Sequence, residues 1–470
     1  MDRELVSEVR REPSSFRDPA ATVFYSGQRV LRGLDQQAAR DWERLVSSPF
    51  FTAALESGDV VDTRELQREE IPSDAPGGFV TVLEHERIPV VSYPYEWTFS
   101  MLRDAALLHL QLLLDALSEG TTMKDGYAFN MQWRGVHPTF IDISSFERVK
   151  AGPWIGYRQF CQTFLYPLLL EAHLGVPFQR YLLGHLNGLE PSDMRRFFPG
   201  RRRFKRGVFT HVYLQSVAEK HVTGGGQKLT EDLGKEGFGK ELTAASVRKL
   251  HKLITKLHSK RADSGWKAYR ETCSYSDDDR VAKQEFVTMV VDRVRPSLTW
   301  DLGSNDGAYA RLAAAQGGYV VAVDSDDVTV DAMYRALNEE GVTNVLPLVL
   351  DLMDPSPARG WRNDERLAFS DRSSPDLVFG LALIHHLAIA SNVPLLQIVD
   401  WLRSLDAPVV VEFVEPHDPM AKRLLANKPK GMFADYRIDE FSRLLESRFD
   451  ILERRALPSG TRTLYLATPR

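Results

Sequence analysis

Acidic residues and glycines alternate in one short stretch of the chain, in a pattern that suits binding of a ribose-containing ligand. Asp301, Gly303, Asn305 and Gly307 lie within the run DLGSNDG, between an apolar segment and an alanine-rich one. Glycines at such a strand-to-helix turn let the backbone approach a ligand closely. Asp324 ends the next apolar run, VVAVD, where a carboxylate can accept hydrogen bonds from both ribose hydroxyls. The pattern therefore predicts a site for an adenosine-containing cofactor.

The same loop favours one cofactor class over another. Sites for NAD usually follow the pattern G-x-G-x-x-G, in which the second glycine makes room for the pyrophosphate. Here Asn305 replaces that glycine, and Asp301 and Asp306 add negative charge that would repel a diphosphate. A sulfonium with an ammonium group suits this acidic rim better, so S-adenosyl-L-methionine is the expected cofactor. A helix N-cap turn without a ligand is the alternative, and the acids at the strand ends argue against it.

With these motifs, the chain resembles the class I S-adenosylmethionine-dependent methyltransferases from about Trp266 to the C-terminus. The resemblance implies an α/β fold with a Rossmann-like, doubly wound sheet. It assigns the third, fourth and fifth strands and a late antiparallel strand to Val345–Leu352, Asp376–Leu383, Val409–Glu415 and Arg462–Ala467. Asn305 stands where many members carry glycine, which leaves the backbone path of the loop open.

The resemblance also implies roles for residues at the strand ends. Asp351 would meet the adenine amino group, with Leu352 beside it, and the fourth strand with Leu381 would end beside the reacting methyl group. The segments Ala382–Leu387 and Val411–Pro416 look similar to a bacterial subgroup that includes nodulation-type methyltransferases. That subgroup does not fix an acceptor.

Proton transfer from a hydroxyl or protonated amine acceptor would need a base. His385 or His386, after the fourth strand, could supply one with a pKa near neutrality. Adjacent helical residues point about 100° apart, so at most one of the two is expected to face the site. A hydrogen-bonded structural histidine is the alternative for each. Of the two glutamates on the fifth strand, Glu415 is favoured over Glu412 because it is nearer the carboxyl end, where ligands bind in this fold.

Two further candidates precede the first strand, where related enzymes often place a lid over the cofactor. Tyr275 and Lys283 are predicted to contact the cofactor there. The alternatives are a packed tyrosine and a solvated lysine.

The N-terminal half carries a second signal. Asp125 and Asn130 have the D-x-x-x-x-N spacing of a kinase catalytic loop, and Asp142 follows like the metal-binding acid of kinases. A hinge-like Tyr93–Glu96 and a long helix before that loop fit the same layout. A glycine-rich loop and the valine-alanine-x-lysine strand are both missing. The predicted domain is α+β and kinase-like in fold, with a degenerate or unrelated substrate-docking domain as the alternative.

Length and composition indicate an ordinary globular protein of two or three domains. The chain has 470 residues and a net charge of −5, which gives no general attraction to nucleic acid. The domains are predicted at 1–223 (N-terminal α+β), 224–265 (linker and bridging helix) and 266–470 (methyltransferase). The basic run Arg195–Arg206 is interpreted as a solvated loop or a surface that docks acidic residues, in preference to a nucleic-acid site.

Cysteines and leucine runs bear on the compartment. The two cysteines, Cys161 and Cys273, show no metal or disulfide spacing, and no apolar run is long enough to span a bilayer. The expectation is a cytoplasmic protein with no metal and no membrane partner, and the oligomeric state stays open. The predicted function is methyl transfer to oxygen or nitrogen of a small-molecule acceptor that the N-terminal domain recruits or shapes. The alternatives are a phosphotransferase with a regulatory methyltransferase-fold half and a catalytically silent scaffold.

Overall fold

The structure, a computed structural model, describes residues 9–150, 152–215, 239–261 and 276–470. These residues form two compact units. The first takes the described residues of 1–133, 138–260 and 358–366, and the second those of 134–137, 261–357 and 367–470. Of the predicted linker and bridging helix at 224–265, residues 239–261 are described and contain the helix Lys240–Thr255, while the remainder lies outside the described residues. The predicted domain boundaries did not include the assignment of segment 134–137 to the second unit and of segment 358–366 to the first.

The first unit opens with an antiparallel sheet of five strands. The described residues from 9 to 148 contain nine strands: β1 Val9–Arg11, β2 Ala21–Ser26, β3 Arg29–Leu34, β4 Thr63–Glu65, β5 Thr81–His85, β6 Thr121–Met123, β7 Met131–Arg134, β8 His137–Phe140 and β9 Phe146–Arg148. The sheet order is β1-β2-β3-β5-β4, while β6 pairs with β9 and β7 with β8. The predicted small strands at the start of the chain are therefore present.

Helices dominate the rest of this unit. They are α1 Gln36–Val46, α2 Pro49–Ser57, α3 Phe99–Ser118, α4 Tyr157–Phe160, α5 Tyr166–Leu174, α6 Gln179–Gly184, α7 Pro191–Phe197 and α8 Lys240–Thr255. A π-helical turn, Cys161–Leu165, joins α4 to α5. The Thr98 hydroxyl caps α3 by accepting from the Met101 N–H, which satisfies one of the otherwise unpaired donors of the first turn.

The second unit is a seven-stranded sheet with helices between its strands. The strands are β10 Leu298–Leu302, β11 Tyr319–Asp324, β12 Val345–Val349, β13 Leu377–Gly380, β14 Val409–Val414, β15 Phe449–Ala456 and β16 Arg462–Pro469. The helices are α9 Asp277–Val294, α10 Ala308–Ala314, α11 Asp327–Glu340, α12 Leu395–Ser404, α13 Pro419–Leu425 and α14 Ile438–Glu446. The strand order is β12-β11-β10-β13-β14-β16-β15.

The apolar runs seen in the sequence account for this sheet. β10 to β14 pair in parallel, and their side chains are almost all buried, as expected for strands covered by helices on both faces. β16 pairs antiparallel with β14, so the predicted doubly wound sheet with a late antiparallel strand is confirmed. The chain leaves β10 toward β11 on one side and returns to β13 on the other. That reversal creates the crevice in which ligands bind in open α/β sheets.

Among the described residues, no helix is long and apolar enough to cross a membrane. No group of three or more histidine, cysteine, aspartate or glutamate side chains in the same residues is placed to hold a metal ion.

Candidate cofactor and active site

A cavity of about 510 Å³ lies in the second unit at the carboxyl ends of β10 to β13. This volume is in the range of small-molecule and cofactor sites. The turns after the four strands each contribute to its wall. Among the residues that line it are Lys283, Asp301, Gly303, Asn305, Asp324, Asp351, Leu352, Leu381, His385 and His386.

The loop after β10 has a backbone that only certain residues tolerate. Gly303 and Gly307 both have φ of 75°, and Asn305 has φ of 51°. Asparagine is one of the few residues other than glycine that adopt this left-handed conformation readily, so Asn305 can take the place of a glycine. Its N–H donates to Oδ2 of Asp324 at 3.0 Å. The loop path that the sequence left open is thus fixed by a bond to the acid at the end of β11.

Gly307 does not line the cavity but serves the packing behind it. A Cβ at this position would lie 2.4 Å from Sδ of Met333 on α11. The glycine therefore lets α10 begin close against α11. Its part in the loop is to set the backbone.

Several buried polar atoms around the cavity lack internal partners. Within the described residues, Oδ2 of Asp301, Oγ of Ser304 and Nδ1 of His385 have no hydrogen-bond partner. The pKa of Asp301 is raised to about 7, chiefly by burial, with Lys283 acting to lower it and Asp324 acting to raise it. Because buried polar groups are nearly always hydrogen-bonded in native proteins, these atoms point to a polar ligand. An ammonium or sulfonium group would be attracted by the carboxylates of Asp301 and Asp324, which both line the cavity.

A chain of buried charges runs beside the cavity from α9 to the start of β16. Nζ of Lys283 lies 2.6 Å from Oε2 of Glu412, whose Oε1 is 3.3 Å from Nη1 of Arg462. Nε of Arg462 in turn donates to Oδ2 of Asp418 at 2.9 Å. The side chains of Lys283, Glu412 and Arg462 are 2%, 0% and 2% exposed. Lys283 is therefore neither a solvated charge nor part of a surface lid.

The two histidines differ in their surroundings. His385 is buried, and burial lowers its pKa to about 3. The expectation of a pKa near neutrality is wrong for this residue, because the folded protein strongly disfavours its charged form. His386 lines the cavity and is more exposed than His385. The part of its ring that is buried still lowers its pKa, while Asp324 acts to raise it. Its ring is neutral at pH 7 and open to an acceptor.

Three of the predicted site residues stand apart. Glu415 does not line the cavity, whereas Glu412, which the sequence ranked second, joins the buried charges. Gly307 lies behind the loop, and Tyr275 lies outside the described residues. The cavity also contains residues that sequence reasoning missed: Tyr309, Ala382, Met420 and Arg462. Arg462 could have been noticed as the one charge in the otherwise apolar run RTLYLA.

The first unit contains a separate polar cluster at the end of β8. Oδ1 of Asp142 accepts from Nη1 of Arg32 on β3 at 2.8 Å and from Oγ of Ser144 at 2.7 Å. Its Oδ2 accepts from Nδ2 of Asn130 at 3.3 Å. Asp125 lies near enough that its pKa is raised, first by burial and then by Asp142. The three residues of the kinase-like spacing are thus brought together.

Comparison with known proteins begins with the whole chain. The nodulation protein NoeA of Rhizobium meliloti is 32% identical over 473 residues, covering 99% of this chain and 98% of that protein. The chain belongs to the NoeA family. No family model matches it.

Solved structures align with part of this NoeA-family chain. The N-methyltransferase NodS of Bradyrhizobium japonicum, with S-adenosyl-L-homocysteine, is 11% identical, with 43% of this chain and 92% of NodS covered and a TM-score of 0.31. The magnesium protoporphyrin IX methyltransferase of Synechocystis, with the same ligand, is 15% identical, with 45% and 96% covered and a TM-score of 0.31. With identities and TM-scores this low, the alignments give no evidence beyond the strand order of the sheet itself. The strand order itself, together with the glycine loop after β10, is that of the class I methyltransferase fold.

Proposed function

We propose that the second unit binds S-adenosyl-L-methionine and transfers its methyl group to oxygen or nitrogen of a small-molecule acceptor. The observation that carries the proposal is the convergence of Asp301, Asp324 and the Gly303 turn on one cavity at the sheet's reversal point. When bound, the cofactor supplies an electrophilic methyl group. The protein needs only to align the acceptor and exclude water, so little further machinery is required.

The residues fit such a cofactor by their chemistry. Asp324 is held by two backbone donors, the N–H groups of Asn305 and Asp326, both at 3.0 Å. Those bonds fix its carboxylate, which would accept hydrogen bonds from ribose hydroxyls. Asp301 has a buried oxygen without an internal partner, which suits an ammonium group. Asp351, Leu352 and Leu381 would line the adenine and methyl ends.

A base is available for an acceptor that carries a proton. His386 is neutral at pH 7 because its pKa is lowered, and it lines the cavity. It would take the proton that the acceptor's oxygen or nitrogen loses when the methyl group is transferred.

Calorimetric titration of the full chain with S-adenosyl-L-methionine and S-adenosyl-L-homocysteine tests the proposal. Both should bind, and Asp324→Ala should abolish detectable binding while the circular dichroism spectrum stays unchanged. Asp354→Ala is the matched control, because Asp354 is an exposed acid nearby that does not line the cavity. Unaltered affinity in Asp324→Ala would contradict the proposal. Binding without turnover on any acceptor would instead support a silent scaffold.

A second candidate function concerns the first unit, which we propose is kinase-like and able to bind a magnesium nucleotide. Two observations favour it: the convergence of Asp125, Asn130 and Asp142, and the placement of α1 and α2 between β3 and β4. Against phosphoryl transfer, Arg32 already pairs with Asp142. Titration with Mg-ATP decides, since binding that Asp142→Asn removes would support a nucleotide site and no heat at all would leave a recruiting or shaping role.

A further inference from the structure

The basic run of the first unit folds into an exposed surface that the methyltransferase and kinase-like sites do not use. It extends from α7 through the short helix Gly200–Phe204 to the π-helical turn Phe209–Leu214. We name it the Arg-Phe patch and define it by Arg195, Arg201, Arg202, Arg203, Phe204, Lys205, Arg206, Phe209, Tyr213 and Leu214.

The inward side of this segment is already filled. Met194, Phe198, Val208 and Val212 are fully buried. The hydroxyl of Tyr213 donates to the Phe198 carbonyl at 2.6 Å, which ties the turn to the end of α7. The outward side chains therefore have no place in the core, and their apolar character needs another explanation.

That outward side is apolar as well as basic. Phe204, Phe209 and Leu214 are 64%, 42% and 51% exposed. Large apolar side chains exposed together on one surface mark interaction sites more often than single ones do. The Phe204 and Phe209 ring centroids are 5.9 Å apart with the planes 22° from parallel, so the two rings form one ridge.

Cationic side chains surround the ridge. The guanidinium of Arg203 lies 4.7 Å from the Phe204 ring centroid, and that of Arg195 lies 5.1 Å from the Tyr213 ring centroid. The five basic residues from Arg201 to Arg206 are all exposed. Since the whole chain carries a net charge of −5, this positive charge is a local concentration. Its complement is a negatively charged surface.

We propose that the Arg-Phe patch docks the first unit onto the surface of an anionic phospholipid bilayer. Apolar side chains rimmed by arginine and lysine are the composition of interfacial membrane anchors, in which rings enter the headgroup boundary and cations meet lipid phosphates. The expectation of no membrane partner rested on the lack of a spanning run, which surface docking does not need.

A nucleic acid fits the patch less well. The Phe209 ring is nearly parallel to two neighbouring rings, those of Phe204 and Tyr213, with centroids 5.9 Å and 6.5 Å away. These neighbours limit the space for a base to stack on Phe209. Stacking of bases on exposed aromatic faces is the main source of sequence-tolerant single-strand binding. The exposed Leu214 offers no such face at all.

Vesicle flotation of the intact chain tests the proposal, with phosphatidylcholine vesicles compared to vesicles that also contain phosphatidylglycerol. The chain should float with the anionic vesicles alone, and the binding should weaken as salt is raised. Phe204→Ser with Phe209→Ser, and separately Arg201→Gln with Arg202→Gln and Arg203→Gln, should each lower the partition coefficient by roughly tenfold or more. These side chains point outward, so both variants should keep the wild-type unfolding midpoint.

The matched control removes the same charge elsewhere in this unit. Arg248, Lys249 and Lys252 are exposed on α8, and their triple replacement by Gln should leave flotation within twofold of wild type. Equal loss in this control would reduce the effect to net charge and overturn the proposal. Failure of the wild-type chain to float with anionic vesicles would overturn the proposal. It would also be overturned if the chain bound a single-stranded RNA of about 20 nucleotides and no vesicles, and if the arginine variant abolished that RNA binding.

Discussion

The two units each contain a charged cluster at the ends of strands, and the clusters differ in how completely they are satisfied. In the first unit, Asp142 accepts hydrogen bonds on both oxygens from Arg32, Ser144 and Asn130. In the second, Asp301 and His385 line a large cavity, and Oδ2 of Asp301 and Nδ1 of His385 are buried without a hydrogen-bond partner among the described residues. A cluster whose polar atoms are all hydrogen-bonded within the protein can stabilise the fold by itself. Buried polar atoms that lack a hydrogen-bond partner indicate that a ligand supplies one.

The clusters also differ in depth. The side chains of Arg32 and Asp142 are 10% and 20% exposed, so water still partly solvates both charges. Lys283, Glu412 and Arg462 are closed off from water. Buried ion pairs recover their desolvation cost only with good geometry, and removal of one partner leaves an uncompensated charge. The comparison therefore predicts very different costs for the same kind of substitution.

The largest expected effect comes from Glu412→Gln. Gln keeps the shape but leaves Lys283 without its carboxylate, so the free energy of unfolding of the second unit should fall by about 3–5 kcal/mol. Asp142→Asn in the first unit is the counterpart and should cost only about 1 kcal/mol, because Arg32 keeps bonds to Ser144 and to the Ile141 carbonyl. Urea unfolding followed by circular dichroism measures both. Equal losses would remove the distinction between the clusters.

Much of this comparison could be predicted from the sequence, since it depends on local patterns. The runs that became β10 to β14 are mostly apolar, and the acids Asp301, Asp324 and Asp351 stand within two residues of the carboxyl ends of their strands. The hydrophobic pattern and the turn residues that bound each run are enough to locate such elements. β15 was missed because its residues after the buried Phe449 alternate between exposed and half-buried, with arginines and a glutamate among them. An edge strand of that kind resembles a polar loop.

The contacts that join distant positions could not be predicted. Lys283 and Glu412 are 129 residues apart in the chain, and nothing local to either marks the pair. The low pKa of His385 also depends on burial by elements far away in sequence. Glu412 and Arg462, each a single charge in a largely apolar strand, were local signals that buried charges exist, but not of which residues pair.

The next effect in size separates the two histidines. His386→Gln should lower the rate of methyl transfer at saturating cofactor by about 10²-fold, since it removes the accessible base, while His385→Gln should change it less. The wild-type rate should fall as pH drops through the His386 pKa, which lies below 6.5, because the protonated ring cannot accept a proton. Single-turnover measurements across pH check both points. An acid limb that survives in His386→Gln would assign the base elsewhere.

A smaller effect is expected in the pH dependence of cofactor binding. The pKa of Asp301 is about 7, and only its ionised form attracts an ammonium group. Affinity for S-adenosyl-L-homocysteine should therefore fall as pH is lowered from 7 to 5.5, by at most about tenfold per pH unit. Calorimetry at several pH values measures it. Asp301→Asn should flatten the dependence, whereas the exposed Asp306→Asn should retain it; a slope unchanged by Asp301→Asn would exclude this carboxylate.

The smallest effect concerns backbone strain at the cavity. Ala382 has φ of 51°, a conformation that costs a residue with a Cβ about 1 kcal/mol. Ala382→Gly removes that cost but gives the unfolded chain more freedom, worth roughly 0.5–1 kcal/mol, so the free energy of unfolding should be unchanged or rise slightly. The matched Ala388→Gly, in the π-helical turn His386–Ala390, should instead lose about 1 kcal/mol. If both variants lost the same amount in urea unfolding, the turn after β13 would hold no strain, and Ala382 would be placed by packing alone.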